Sequence, residues 1–145
     1  MSLFISIDPG NTKCGLLLAD INSGRVVEAG IASLSIFSDL VLLWNQNYQI
    51  NKVIIGNGTN CKNIEQKLNK KNIYNCNYVD ERGSTLKARF RYWEIWPPNY
   101  FFRWIPEEML FPPPNLDAVV ALILLEDYLN YQLIWPDKVN IKTWI

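Results

Sequence analysis

The chain has 145 residues, of which 49% are hydrophobic and 19% charged, and its 14 basic side chains equal its 14 acidic ones in number. This composition predicts a folded protein with a hydrophobic core and excludes a disordered or uniformly basic chain. Histidine is absent, which excludes Ser-His-Asp and Cys-His catalytic centres. Hydrolytic chemistry would then need carboxylates, a lysine or a metal ion.

Cysteine usage and hydropathy indicate the compartment. Cys14, Cys61 and Cys76 cannot all pair with one another, and their spacing fits no zinc site. We therefore expect reduced thiols in a cytoplasmic protein. The longest apolar run, residues 118–125, is too short to span a bilayer, and no secretion signal opens the chain. No membrane partner is expected.

Taken in order, the chain predicts strands first and strand–helix units afterwards. The turn Asp8-Pro9-Gly10-Asn11 ends the first strand, because Pro fixes φ there and Gly accepts a positive one. The predicted elements are strands at 3–7, 13–19 and 25–33, a helix at 35–48 capped by Ser35, a strand at 52–56, a helix at 61–71, a strand at 73–79, a helix capped by Ser84 or Thr85, and a helix at 116–131.

Helical spacing also predicts which side chains are buried. The expected inward positions are Ile36, Leu40, Leu43 and Trp44 in the first helix, Ile64 and Leu68 in the second, and Leu86, Phe90 and Trp93 in the third. The last helix is apolar on nearly all sides and should pack against the sheet. Residues 96–114 form a long aromatic and proline-rich stretch, which is expected either to pack across a surface or to carry a function.

The order of elements predicts the fold class. A three-strand antiparallel meander followed by strand–helix units is typical of the ribonuclease H-like α/β fold. Its mixed five-stranded sheet adds two parallel strands to the meander and is flanked by helices. No repeat or linker interrupts the sequence, so a single domain over residues 1–145 is expected. The tail, residues 135–145, is long enough for one further element.

Acidic residues stand at three predicted element ends. Asp8 ends the first strand, Asp80 and Glu81 follow the fifth, and Asp117 opens the last helix. Each has an ordinary alternative role: Asp8 can form its own turn, Glu81 can pair with a neighbouring cation, and Asp117 can interact with the helix dipole.

Considered together, the same acids indicate a metal site. If strands one, four and five run parallel, their carboxyl ends share one edge of the sheet, where ligand sites lie in such folds. Carboxylates converging there repel one another unless a cation joins them. Oxygen ligands without nitrogen or sulfur favour Mg²⁺ or Mn²⁺. Two such ions about 4 Å apart can activate water and stabilise the leaving oxygen of a phosphodiester.

Three blocks of sequence carry a family resemblance: Ile7-Asp8-Pro9-Gly10 with Gly15, Val79-Asp80-Glu81-Arg82 followed by Ser84-Thr85 and Ala88, and Leu116-Asp117-Ala118 with Ala121. They resemble the signatures of the YqgF/RuvC-type Holliday junction resolvases, within the RNase H-like superfamily. The resemblance implies a divalent-metal-dependent nuclease acting on branched DNA or structured RNA. It carries Asp8, Glu81 and Asp117 over as catalytic metal ligands, with Asp80 as the alternative to Glu81.

Departures from the family pattern leave other functions open. The loop Asn57-Gly58-Thr59 replaces the usual Leu-Pro and is more like the YqgF-like domain of the transcription accessory protein Tex, which lacks the full acidic set. RuvC has a second aspartate three residues from the last one, where this chain has Pro114 and Val120. A catalytically weak or inactive binding module is therefore one alternative. The resemblance to YqgF-type proteins adds another, an RNase acting on ribosomal RNA precursors. The first block also resembles the phosphate loop of actin-like ATPases, but those enzymes need two such units.

Basic residues near the acids are candidates for phosphate binding. Residues 51–91 hold 9 basic and 3 acidic side chains, a local excess of 6 positive charges. The candidates for contact with nucleic acid are Lys13, Arg82, Ser84, Thr85, Lys87, Arg89 and Arg91. The alternative is that these cations screen the acidic cluster or are solvated. The sequence leaves the choice between DNA and RNA open, and also whether the active form is a homodimer.

Overall fold

One six-stranded sheet organises the molecule. The structure is a computed structural model that describes residues 2–74, 76–106, 109 and 116–145. The strands are β1 (Leu3–Asp8), β2 (Lys13–Asp20), β3 (Arg25–Ser33), β4 (Ile50–Gly56), β5 (Cys76–Val79) and β6 (Ile141–Trp144). Their spatial order is β5-β4-β1-β2-β3-β6.

Strand directions match the predicted arrangement. β1, β2 and β3 form the antiparallel meander, and β4 and β5 join it in parallel beside β1. The prediction of five strands omitted β6, which pairs in parallel with β3 over Ala29–Ala32. Four residues of a polar-apolar tail give too short a pattern to identify a strand, and here the exposed edge of β3 supplies the hydrogen-bonding partner.

Helices cover both faces of this sheet. They are α1 (Phe37–Asn47), α2 (Cys61–Asn69), α3 (Ser84–Ile95) and α4 (Leu116–Leu129), with a short 3₁₀ turn at Tyr100–Phe102. On one face, α1 and α2 bury Phe37, Val41 and Ile64 against Ile5 and Ile7 of β1. On the other face α4 packs on the sheet, and α3 packs on α4.

Alternation along β1 decides which side chains face α4. Ile5 and Ile7 face α1 and α2, so Ser6 and Asp8 face the opposite side. The fully buried Ser6 hydroxyl donates to the Ala121 carbonyl of α4 at 2.7 Å. This hydrogen bond fixes α4 across the centre of β1, and it leaves Asp8 at the end of the strand on the α4 face.

The predicted face of α1 is partly wrong. Trp44 is buried as predicted and Leu40 packs partly buried against the core, but Leu43 is 50% exposed. Phe37, Ser38 and Val41 are buried as well, and the helix begins after Ile36 with no side-chain cap from Ser35. Ile64 and Leu68 of α2 are buried as predicted.

The predicted face of α3 is also wrong. Its buried residues are Ser84 and Ala88, while Leu86 is 56% exposed and the third helix packs on α4 instead of on the sheet. Close helix–helix contact favours a small residue such as Ala88 at the interface. The residue before the helix is Gly83, at φ 76°, so neither Ser84 nor Thr85 caps it.

The aromatic stretch only partly packs. Trp96 lies against Tyr92 and Trp135, with ring centroids 4.9 and 5.0 Å away. Tyr100 and Trp104 are 77% and 80% exposed, so packing does not account for these two side chains. Phe111 and Pro112–Pro114 lie outside the described residues.

A buried ion pair ties α3 to α4. Arg91 donates through Nε and Nη2 to the two carboxylate oxygens of Glu126 at 3.1 and 2.9 Å. The same Nη2 donates to the Leu133 carbonyl at 2.8 Å, and the Leu133 N–H donates to Glu126 at 2.7 Å. The pair therefore also fixes the segment that follows α4. Within the part of the chain that the structure describes, no helix is long and apolar enough to cross a membrane.

Candidate active site

Asp8 lies at the centre of the candidate site. It is the last residue of β1, is paired with Gly15 of β2, and faces α4. Burial, followed by the negative charges of Asp117 and Glu81, together raise its pKa from 3.8 to about 8. Asp117 of α4 and Glu81 of the β5–α3 loop are therefore close enough to Asp8 to affect it electrostatically.

Glu81 reaches the site over two glycines. A Cβ added at Gly56, the end of β4, would lie 2.5 Å from Glu81 Oε2, and one at Gly58 would collide with Oε1. Oε2 is buried and has no hydrogen-bond partner among the described residues. Burial raises the pKa of Glu81, the Gly58 N–H opposes that shift, and Asp80 adds to it. A buried carboxylate oxygen without a donor is costly, and a cation would satisfy it.

Asp117 comes from the first turn of α4, which starts directly above Gly15. A Cβ at Gly15 would collide with the Asp117 carbonyl oxygen. Lys13 Nζ lies 3.9 Å from Asp117 Oδ2, and both side chains are substantially exposed. The strand pairing of Gly15 with Asp8 brings the start of α4 beside the end of β1.

Replacing Gly15 with alanine should disturb this arrangement. The added methyl group would force the start of α4 away from β2, so we expect a loss of about 1–3 kcal/mol in the free energy of unfolding. Urea denaturation measures the loss. Gly24→Asn is the control: Gly24 has φ 68°, which Asn tolerates, and open space around it. Equal stability of Gly15→Ala and wild type would contradict the close packing.

Asp80 is engaged by Arg82 and does not affect Asp8. Its carboxylate accepts hydrogen bonds from the Arg82 backbone N–H at 3.0 Å and from the Arg82 guanidinium at 2.9–3.2 Å. These bonds hold the pKa of Asp80 below its usual range. The structure thus brings Glu81, and not Asp80, together with Asp8.

The predicted phosphate-binding residues are largely engaged inside the chain. The Ser84 hydroxyl and N–H both donate to the Glu81 carbonyl, at 2.6 and 3.1 Å, so Ser84 positions Glu81. Lys87 Nζ lies 3.2 Å from Asp127, and Arg82 pairs with Asp80. Thr85 is exposed in the first turn of α3, and Arg89 is half-buried further along it.

Two asparagines that sequence reasoning did not single out hold the site together. Asn60 Nδ2 donates to the Gly10 carbonyl at 2.6 Å, and Asn57 Oδ1 accepts from the Glu81 N–H at 3.2 Å. The loop after β4 thus contacts both the Asp8 turn and the Glu81 loop. The available signal was the position of this Asn-rich loop after a buried strand, at the same edge as Asp8.

The donor chemistry of the three acids fits a hard divalent cation. Asp8, Glu81 and Asp117 offer only carboxylate oxygens, and Glu81 Oε2 lacks any other partner. Across residues 2–74, 76–106, 109 and 116–145, however, no three acidic or cysteine side chains are drawn together closely enough to hold an ion as placed. The three acids therefore offer the right donor atoms for such an ion and lie near one another, but their side chains do not form a closed coordination site.

Comparison with known proteins identifies the fold. No protein-family model and no curated protein matches this chain. Among solved structures, Thermus thermophilus RuvC in complex with a Holliday junction substrate matches with a TM-score of 0.50 and 11% identity, over 90% of this chain and 96% of that one. The fold is RNase H-like. At this identity the match establishes the fold and leaves family membership and activity open.

Proposed function

We propose that this protein is a divalent-metal-dependent nuclease that hydrolyses phosphodiester bonds in branched DNA or structured RNA. Asp8, Glu81 and Asp117 are the proposed ligands for Mg²⁺ or Mn²⁺. The observation that carries the proposal is the convergence of these carboxylates from three separate elements on one sheet edge, with Glu81 Oε2 buried and unpaired.

Bringing these carboxylates together destabilises the folded state. Their proximity therefore needs an explanation other than stability, and a functional site provides one. Burial and like charge raise the pKa of Asp8 to about 8, so near neutral pH the cluster is held at an energetic cost. A carboxylate serving only its own turn needs no acidic neighbours. Strained or repulsive groupings of titratable residues are concentrated at functional sites, and a divalent cation removes the repulsion.

Each residue has a defined task in the proposed chemistry. A bound divalent ion supplies Lewis-acid activation of water and of the scissile phosphate. Asp8 is influenced by the charges of both Glu81 and Asp117. Ser84 and Asn57 orient Glu81, and Lys13 balances the charge of Asp117. Because Lys13 is exposed, it can also approach a phosphate at the open side.

A nucleic-acid-binding module without catalysis is the second candidate. The absence of a closed three-ligand group among the described residues favours it. The RuvC structure that shares the fold holds a Holliday junction, and a similar substrate is part of our proposal for this chain in either case. The two candidates differ only in whether the acids bind an ion and promote cleavage.

Cleavage assays separate the two. Labelled four-way junctions, flap DNA, stem-loop RNA and linear duplex are incubated with the protein in Mn²⁺, Mg²⁺ or EDTA. We expect metal-dependent cleavage of at least one branched or structured substrate and much less of the linear duplex. Binding of these substrates without cleavage in either metal would favour the binding module. Neither binding nor cleavage would overturn both.

Metal-free stability should depend on pH through Asp8. Its pKa is about 8 in the folded chain and 3.8 without structure, so the folded state binds the proton more tightly. Stability should therefore fall as pH rises from about 5 to 8, by at most about 1.4 kcal/mol per pH unit. Urea unfolding in EDTA at several pH values measures this slope.

Asp8→Asn is the control for that slope. It should flatten the pH dependence and be more stable than wild type at pH 8 in EDTA, whereas added Mn²⁺ should stabilise wild type most at the higher pH values, where protons no longer compete. A lower stability of Asp8→Asn at pH 8 would show that Asp8 serves its turn and is not part of a repulsive cluster.

A further inference from the structure

The outer face of α2 carries lysines that no acidic side chain neutralises. The helix turns Ile64 and Leu68 inward, so Lys62, Gln66 and Lys70 lie on the opposite side and are exposed, with Lys67 at the flank. None of the three lysines has an ion pair within the described part of the chain. We call Lys62, Lys67 and Lys70 the α2 lysine face.

Nearby acids are occupied elsewhere. Asp39 of α1 pairs with Lys71 at 2.8 Å, which removes Lys71 from the exposed charge. Glu65, the one acid of α2, lies beside Tyr78 of β5, where burial and this carboxylate raise the pKa of Tyr78 to about 12. The α2 lysine face therefore keeps its full positive charge in a chain whose formal net charge is zero.

Other cations of the chain are used internally. Arg82, Lys87, Arg91 and Lys142 all have carboxylate partners within 3.3 Å. Those near the acids were the candidates for phosphate contact from the sequence, yet their charge is largely balanced. Among the described residues, α2 therefore offers a polyanion a group of neighbouring lysines without ion pairs.

The position of α2 relates this surface to the candidate site. Asn60, which directly precedes the helix, donates to the carbonyl of Gly10 in the Asp8 turn. The helix then runs away from the site, and Lys62 and Lys70 are separated by about 12 Å along its axis. That span matches about three to four nucleotides along one strand of a duplex.

We infer that the α2 lysine face binds the phosphate backbone of an arm of the nucleic acid whose other part lies at the acids. This inference rests on the proposed function and adds a second contact surface to it. The contact is electrostatic and independent of sequence, because lysines at this spacing reach phosphates and no base edges. Attraction between these lysines and the polyanion would offset the repulsion between the same polyanion and the acids.

The test compares two double variants with the same change in charge. Lys62→Gln with Lys70→Gln removes two charges from α2. Arg25→Gln with Lys138→Gln removes two exposed charges on the β3–β6 side of the sheet, which likewise have no ion pair among the described residues. Fluorescence anisotropy in EDTA measures binding of a four-way junction and of a linear duplex between about 50 and 200 mM salt, a range in which phosphate contacts show clearly.

We expect the α2 variant to bind at least about tenfold more weakly near physiological salt, with the slope of log K against log salt reduced by about 2, because two phosphate contacts are lost. The control should keep the wild-type slope. Equal slopes for both variants and wild type would overturn the inference. Thermal unfolding of both variants checks folding, since lysines in a last turn also interact with the helix dipole.

Failure of this inference can be told apart from failure of the proposed function. If wild type cleaves in Mn²⁺ and the α2 variant keeps full affinity, the inference about the α2 lysine face is wrong and the proposed function stands. An α2 variant that binds weakly, combined with a wild type that never cleaves, keeps the lysine face and supports the binding module instead. Wild type that binds no nucleic acid removes both.

Discussion

Asp8→Asn is expected to abolish Mn²⁺-dependent cleavage, with a loss of at least about a hundredfold in rate. The loss follows because the substitution removes the carboxylate that both Glu81 and Asp117 affect electrostatically, and metal assistance is worth several kcal/mol in such reactions. Single-turnover cleavage of the best substrate from the four-way junction, flap and stem-loop panel measures the rate. Isothermal titration with Mn²⁺ should show the loss of metal binding in the same variant.

Two further substitutions make that experiment decisive. Glu81→Gln should lose activity as Asp8→Asn does, whereas Asp80→Asn should stay near wild type, because Asp80 is bound to Arg82. Asp20→Asn is the matched control: it also ends a strand, and it accepts hydrogen bonds from Asn22 and Ser23 in its own turn. Full cleavage by Asp8→Asn would refute the proposed site.

Glu126→Ala should cost about 3–5 kcal/mol of unfolding free energy. The carboxylate is 6% exposed, holds the Arg91 guanidinium through two hydrogen bonds and accepts the Leu133 N–H. Its removal leaves the Arg91 guanidinium with only the Leu133 carbonyl and the exposed Glu94 as partners, and it leaves the Leu133 N–H without its acceptor. Broken buried pairs carry penalties of this size. Since domains of this kind have a free energy of unfolding of about 5–15 kcal/mol, the variant should lose a large part of its stability.

The same ion pair has a built-in control. Arg91 also pairs with Glu94 at 3.3 Å, but Glu94 is exposed, so Glu94→Ala should cost less than about 1 kcal/mol. Urea unfolding of both variants gives the comparison. A similar small loss for Glu94→Ala and Glu126→Ala would show that solvent reaches the Arg91–Glu126 pair freely.

The fold followed from the sequence where patterns were long and unambiguous. The limits of β3 and the burial of Ile64 and Leu68 were predictable because period-2 and helical spacing extend over whole elements. The buried faces of α1 and α3 were not fully predictable, because Phe37 and Ala88 are buried by packing against residues that lie far away in sequence. β6 depends on the free edge of β3, which no local pattern shows.

The sequence likewise predicted some features of the candidate site and not others. Asp8, Glu81 and Asp117 could be nominated because strand ends of a parallel arrangement share an edge. The resemblance nominated Glu81 and left Asp80 as the alternative, because adjacent loop residues have no fixed direction. The structure adds that Glu81 affects Asp8, whereas Arg82 binds Asp80. The internal pairing of Lys87 with Asp127 spans 40 residues and is likewise invisible to sequence patterns.

The hydrogen bond from Ser6 to the Ala121 carbonyl joins residues 115 positions apart, and this has a consequence for synthesis. The Asp8 end of β1 is synthesised before α4, and Asp117 can join it only after α4 has been made and has closed over Gly15. Contacts this distant in sequence form slowly, because closing the long intervening loop costs conformational entropy. A chain in which α4 has not yet docked therefore has Asp8 but lacks the assembled site, so any hydrolytic activity would require docked α4.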